Sequence, residues 1–187
     1  GFLDQLVNAH VTKSQTQDGA APVLCIVGET GPALFGLTTA ARSRRLFARV
    51  GVKSEISLEE AAAHHGPVAV VRGDAALDQQ LIPLLLRSPG LLPVGEGAHG
   101  EVPLAAMVDG VHVAAANDVL LGRASEIPGA MLDKRRPGEL KADFWKALRK
   151  RETPYAFAIS PANAAAAEWR MFMGTYKGAT DLVTKHV

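Results

Sequence analysis

Short unbroken apolar runs alternate with amphipathic stretches along this chain. Pro22-Val23-Leu24-Cys25-Ile26-Val27 and Pro67-Val68-Ala69-Val70-Val71 are rich in β-branched residues and show no polar alternation. That is the pattern of strands buried on both faces. Leu91-Leu92-Pro93-Val94 is a third such run, and Tyr155-Ala156-Phe157-Ala158-Ile159 alternates as a strand does. Helical patterns lie between them. A Thr38 or Thr39 cap opens a helix predicted to about Val50, striped by Leu46, Phe47 and Val50, with Gly51 as its stop. Ser57 with Glu60 forms a capping-box pattern for a short helix. Leu81 to Leu86 lie on a helix predicted over about residues 78–87, with Pro83 in its first turn. Ser160 and Pro161 open a helix expected to reach about Thr175. Val102–Met107 and Val111–Ala115 flank Asp109-Gly110, which predicts a hairpin. Asn117 to Gly122 starts a helix or turn, residues 123–141 read as a charged loop, and Phe144 to Arg151 as a basic helix.

Strands alternating with helices predict an α/β fold with a Rossmann-like, mostly parallel mixed sheet and ligands at the carboxyl ends of its strands. Residues 1–21 form a polar lead-in, in which Phe2, Leu3, Leu6 and Val7 suit one helical turn. Residues 22–175 are the domain, and residues 176–187 a junction. A chain of 187 residues, 48% apolar, is long enough to bury a real core. With 20 Lys+Arg against 19 Asp+Glu, the net charge of +1 gives no basic excess, so no nucleic-acid partner is expected. The single cysteine, Cys25, sits inside an apolar run and reads as a buried small hydrophobe. With no disulfide to form, a reducing compartment is expected. No apolar stretch is long enough to span a bilayer. The start at Gly1 and the stop at Val187 lead us to expect a piece of a longer chain.

The loop Gly28-Glu29-Thr30-Gly31-Pro32-Ala33-Leu34-Phe35-Gly36 stands between a strand and a helix. It reads equally as a backbone cradle for phosphate at a helix N-terminus or as a plain connection. It has neither the Gly-Lys-Ser/Thr ending of a P-loop nor the dinucleotide spacing. Asp74 follows the run Val68 to Val71, where a carboxylate holds Mg²⁺ or caps a helix. Arg42, Arg44, Arg45 and Arg49 suit phosphate recognition or a solvated helix face. His64-His65 has no partner at metal-ligand spacing, and no Gly-x-Ser-x-Gly occurs. Lys177 and Asp181, four apart, are read as lying just past a helix end, where one reaches phosphate and the other a metal, or as a surface pair.

Two segments carry a resemblance. Lys177-Gly178-Ala179-Thr180-Asp181-Leu182-Val183-Thr184-Lys185 resembles the junction leading into the membrane domain of CDP-alcohol phosphatidyltransferases that carry an N-terminal cytosolic domain. Val70-Val71-Arg72-Gly73-Asp74 resembles the metal-binding strand of those domains. The bifunctional inositol-phosphate cytidylyltransferase/di-inositol-phosphate-phosphate synthases are the relatives in view. The resemblance implies a three-layer nucleotidyltransferase fold that uses CTP or another nucleotide, with Mg²⁺, to activate a phosphorylated alcohol. It implies a covalently linked membrane domain, a place on the cytoplasmic side of the inner membrane, and a homodimer. Asp74 and Lys177 would be catalytic, and Asp74 and Asp181 would hold metal. Gly28, Gly31, Gly36, Arg42 and Arg45 would bind the nucleotide. The chain departs from that pattern in Ile26-Val27-Gly28-Glu29-Thr30-Gly31-Pro32, which lacks the family's loop arginine and sets Glu29 where phosphates would sit. The departure gives the alternative expectation of a degenerate domain acting as a regulatory or interaction module. An unrelated Rossmann-like sugar- or nucleotide-binding protein is the third reading.

Overall fold

The computed structural model describes the backbone of residues 20–144 and 153–185, and the side chains of residues 20–140 and 153–174. The two long apolar runs form strands β1 (Val23–Val27) and β2 (Pro67–Arg72), paired in parallel with Val23 opposite Val68. Strand β6 (Ala105–Asp109) lies antiparallel on the other side of β2, with Val68 opposite Val108. Alternation then sorts the side chains of this sheet. Leu24, Ala69, Val71, Ala105 and Met107 face one core, with Leu46 and Phe47 of helix α1 (Thr39–Arg49) and Leu81, Ile82, Leu84 and Leu85 of helix α3 (Leu81–Arg87). Val23, Cys25, Val27, Val68, Val70, Ala106 and Val108 face a second core. Ala61 of helix α2 (Leu58–Ala61) and Val113, Ala116, Val119 and Leu120 of helix α4 (Val113–Leu120) cover it. Helices on both faces make the three layers, and explain why these strands carry no polar alternation.

A second sheet contains β3 (Ala75–Leu77), β8 (Ala156–Ala158), β4 (Leu91–Gly97) and β5 (Gly100–Pro103), with β7 (Asp133–Arg135) on β4. Leu104 ties the sheets together. Its N–H donates to Pro93 O at 2.9 Å, and its carbonyl accepts Arg72 N–H at 2.9 Å. Chain connections join them too: Leu104 alone separates β5 from β6, and only Gly73 and Asp74 separate β3 from β2. The α/β class and the mixed sheet agree with expectation. The parallel share is lower than expected: β1–β2, β4–β7 and β4–β8 are parallel, and β2–β6, β3–β8 and β4–β5 antiparallel.

Local signals explain most helix ends. Thr38 caps α1 by accepting Ala41 N–H at 3.1 Å, and the chain turns at Gly51 with φ +94°. Ser57 and Glu60 form the expected reciprocal capping box on α2. Helix α5 (Pro137–Phe144) and β7 occupy a stretch read from sequence as loop. The hairpin expected at Asp109-Gly110 does not form. Residues 110–112 make a 3₁₀ turn that runs directly into α4. Val113, Ala116, Val119 and Leu120 recur at helical spacing, and that period prevails over the Asp-Gly turn signal. Gly110 is needed for close approach instead: a Cβ there would collide with His64 O. The hairpin lies at Ala98-His99, between β4 and β5, with Gly97 opposite Gly100. The final helix, α6 (Ala164–Lys185), corrects a second expectation. It runs unbroken through positions 177 and 181, so Lys177 and Asp181 are on the helix, not past its end; their side chains lie outside the described part. The lead-in residues 1–19, and all of the expected basic helix but Phe144, also lie outside the described residues.

Candidate functional site

Three strand ends and one loop meet at the corner between β2 and β3. Gly73 N–H donates to Val27 O at 2.7 Å, continuing the β1 pairing, and Ile159 N–H donates to Asp74 O at 2.8 Å, continuing the β8 pairing. The loop after β1 lies directly on this corner. A Cβ on Gly73 would sit 2.7 Å from Glu29 O, and one on Gly31 would sit 2.8 Å from Ile159 O and 3.3 Å from Asp74 Cβ. Glycine is required at both places because the opposing atoms are backbone. Gly28 adopts φ +75° at the exit of β1.

The hydroxyl of Thr39, fully buried at the first position of α1, holds the corner together. It accepts Gly31 N–H at 2.8 Å and donates to Gly73 O at 2.6 Å. A hydroxyl has one hydrogen, so at its 3.2 Å contact with the Thr30 hydroxyl, Thr30 must be the donor. Thr30 Oγ1 in turn accepts Ala40 N–H at 3.3 Å. The N–H groups of Gly31, Ala40 and Ala41 are thus all taken by the chain's own threonines. These are the groups with which a helix N-terminus and a glycine loop would hold a phosphate.

Asp74 is also engaged. Arg72 Nε and Nη2 donate to its two carboxylate oxygens, each at 2.9 Å, and Arg72 Nη1 donates to Leu120 O at 2.8 Å. The pair is 18% and 24% exposed. The fork-on-carboxylate geometry makes this a strong, oriented ion pair. The described residues do not form a seat for Mg²⁺ at this point. A guanidinium already lies across Asp74, and no group of three or more His, Cys, Asp or Glu stands close enough to hold a metal among the described residues.

The remainder of the loop serves a different purpose. Leu34 and Leu37 exchange backbone hydrogen bonds at 2.8 and 3.0 Å around a tight turn, with Phe35 at φ +51° and Gly36 at φ +77°. Leu34 is buried against Ala76, Ile159, Ala167 and Met171, and Glu168 of α6 accepts Phe35 N–H at 3.1 Å. Asn163 fixes the exit of β8 by accepting Ser160 N–H and donating to Ala158 O, both at 2.8 Å.

The expected site residues therefore divide. Gly28, Gly31 and Asp74 come together, while Gly36 serves the turn at Phe35. Arg42 points along β3, donating to Leu77 O at 2.8 Å and to the Tyr155 hydroxyl. Arg45 is exposed with no partner among the described residues, and Arg44 pairs with Glu55 at 2.7 Å, which raises the Arg44 pKa. Sequence reading overlooked Thr30, Thr39 as a hub, and Arg72 as the mate of Asp74. Only the last had a local signal, since residues two apart on an extended strand share a side. Comparison with protein-family models, curated proteins and solved structures gives no match to this chain.

Proposed function

We propose that this domain is an interaction or regulatory module of a membrane CDP-alcohol phosphotransferase, with nucleotidyltransferase-like architecture and without its chemistry. The link to that enzyme class rests on the resemblance of residues 177–185 and 70–74. One observation carries the loss of chemistry: the donors of Gly31, Ala40 and Ala41 are already satisfied by threonine hydroxyls. A triphosphate entering the loop would have to break those bonds and approach Glu29, which adds charge repulsion. The exposed aromatics Phe35, Trp169 and Phe172, at 62, 65 and 50% exposure, lend support to a role in protein contact. The turn bearing Phe35 is joined to the helix bearing the other two through Glu168. The partner under this reading is the covalently linked membrane domain.

A second reading is favoured by the position of Asp74, at the end of a central strand and against the glycine loop. Under it the corner positions CTP for attack by a phosphate oxygen of a phosphorylated alcohol, and Arg72 must release Asp74 first. Calorimetric titration with CTP and Mg²⁺ separates the two. The module reading expects no heat at millimolar ligand. Saturable heat that disappears in Asp74→Asn would overturn it in favour of the enzyme.

A further inference from the structure

We propose that helix α6 is a strap on the loop after β1: while α6 is docked the corner stays closed, and displacing α6 opens it. The coupling is a property of this chain alone; only its use by a linked membrane domain rests on the proposed function. The link is the turn at Leu34 to Leu37. Leu34 is 1% exposed, although Ala33, Phe35 and Gly36 around it are exposed. It belongs to neither core of the first sheet. A small third cluster buries it, with Ala76 from β3, Ile159 from the exit of β8, and Ala167 and Met171 from α6. The helix thus supplies part of the wall around Leu34, and Leu34 loses that cover if the helix leaves. Glu168, next to Ala167, accepts Phe35 N–H at 3.1 Å.

Backbone strain keeps the docked state from being over-stable. Among the described residues Phe35 is the one non-glycine with a positive φ, at +51°. A bulky side chain disfavours that conformation, and it persists only where surrounding contacts impose it. The ties from the turn to α6 are the burial of Leu34 and the bond to Glu168. The strain offsets part of what they contribute, so docked and released turns lie closer in free energy, as a two-state element requires. Release would reach the corner through a short, stiff link. Only Pro32, with its fixed φ, and Ala33 separate Leu34 from Gly31. Gly31 N–H is held by Thr39, and Gly31 lies so close to Ile159 O that a Cβ would sit 2.8 Å from it. Ile159 is itself in the Leu34 cluster. A shift of Leu34 therefore pulls on the Gly31–Thr39 bond, and with it on the Thr30 contact that holds Ala40 N–H. The backbone of α6 continues unbroken to Lys185, so a pull on the junction-like residues 177–185 acts on the strap directly.

Amide hydrogen exchange in the full 187-residue chain reads this coupling away from the substituted residue. Glu168→Ala should speed exchange of the Gly31 and Ala40 amides about fivefold, and Met171→Ala by about tenfold or more. The Val70 amide, in the middle of β2, should not change in either variant. Glu168→Gln keeps an oxygen acceptor and should restore most of the lost protection. Phe35→Gly relieves the strain and should slow the same two amides about threefold. Unchanged rates at Gly31 and Ala40 in Glu168→Ala and Met171→Ala would overturn the strap. So would a rise matched at Val70, which reports a general loss of stability. Should Met171→Ala fail to fold, the opposite signs expected of Glu168→Ala and Phe35→Gly decide alone. No nucleotide or membrane partner enters the measurement, so its failure and the failure of the proposed function are read separately.

Discussion

The corner at Thr39 and the edge at Tyr155 are separated by one helical turn of α1 and three residues of β3, yet they treat their polar groups in opposite ways. At the corner the N–H groups of Gly31 and Ala40 and the carboxylate of Asp74 are all engaged: Thr39 serves Gly31 and Gly73, Thr30 serves Ala40, and Arg72 covers both oxygens of Asp74. At the edge Tyr155 accepts a hydrogen and offers one that nothing described takes. A position at the carboxyl ends of strands is where an α/β fold is expected to bind ligands. Here that position is filled by the chain itself, and the unspent donor lies one step away. Location in a fold is a prior; the hydrogen bonds already made decide whether a location can bind.

The largest effect is expected where the corner has no room. In Gly73→Ala the new methyl would meet Glu29 O at 2.7 Å, so loop and strand must separate. We expect a loss of about 3 kcal/mol in denaturant unfolding. Thr39→Val comes next. It keeps the shape but leaves Gly31 N–H and Gly73 O without a partner, for about 2–3 kcal/mol. A neutral result for both variants would mean that the corner is looser than its distances indicate.

Below the corner, Cys25 is fully buried and unpaired on β1. Burial, with Glu55, Glu59 and Glu60 nearby, pushes its thiol from 9.0 up to about 11. The unfolded chain loses this proton first as pH rises, so the contribution is intact below about pH 8.5 and is lost progressively toward pH 11. The expected loss there is of order 2 kcal/mol, and Cys25→Ala should flatten it. The native thiol should not react with alkylating reagents at neutral pH. The smallest effect is expected at Phe35. Its φ of +51° is unfavourable for a bulky residue and little of its ring is buried, so Phe35→Gly should raise stability by about 1 kcal/mol.

What the sequence revealed of this architecture followed the range of the interaction. The runs at Val23–Val27 and Pro67–Arg72, the Thr38 cap and the Ser57–Glu60 box are local, and each is found where its pattern predicts. The Asp109-Gly110 signal misled because Asp-Gly suits a tight turn in isolation, whereas here the glycine admits the His64 carbonyl from a distant segment. The helix expected to stop near Thr175 continues instead to Lys185, with Gly174 and Gly178 inside it. At the site, Asp74 and the glycines could be singled out by type and position. That Thr39 would close the loop was not legible, because its partners lie eight and 34 residues away. The departure at Glu29 was legible and pointed the same way as the closed corner.

Hydrogen–deuterium exchange at the amides of Gly31, Ala40 and Ala41, with and without saturating CTP and Mg²⁺, tests the closed corner most directly. Bonds to Thr39, Thr30 and Thr38 should make these amides slow to exchange in the free domain, and the nucleotide should leave their rates unchanged. Fast exchange in the free domain, slowed on adding nucleotide, would contradict the account and return the loop to the role of a phosphate cradle.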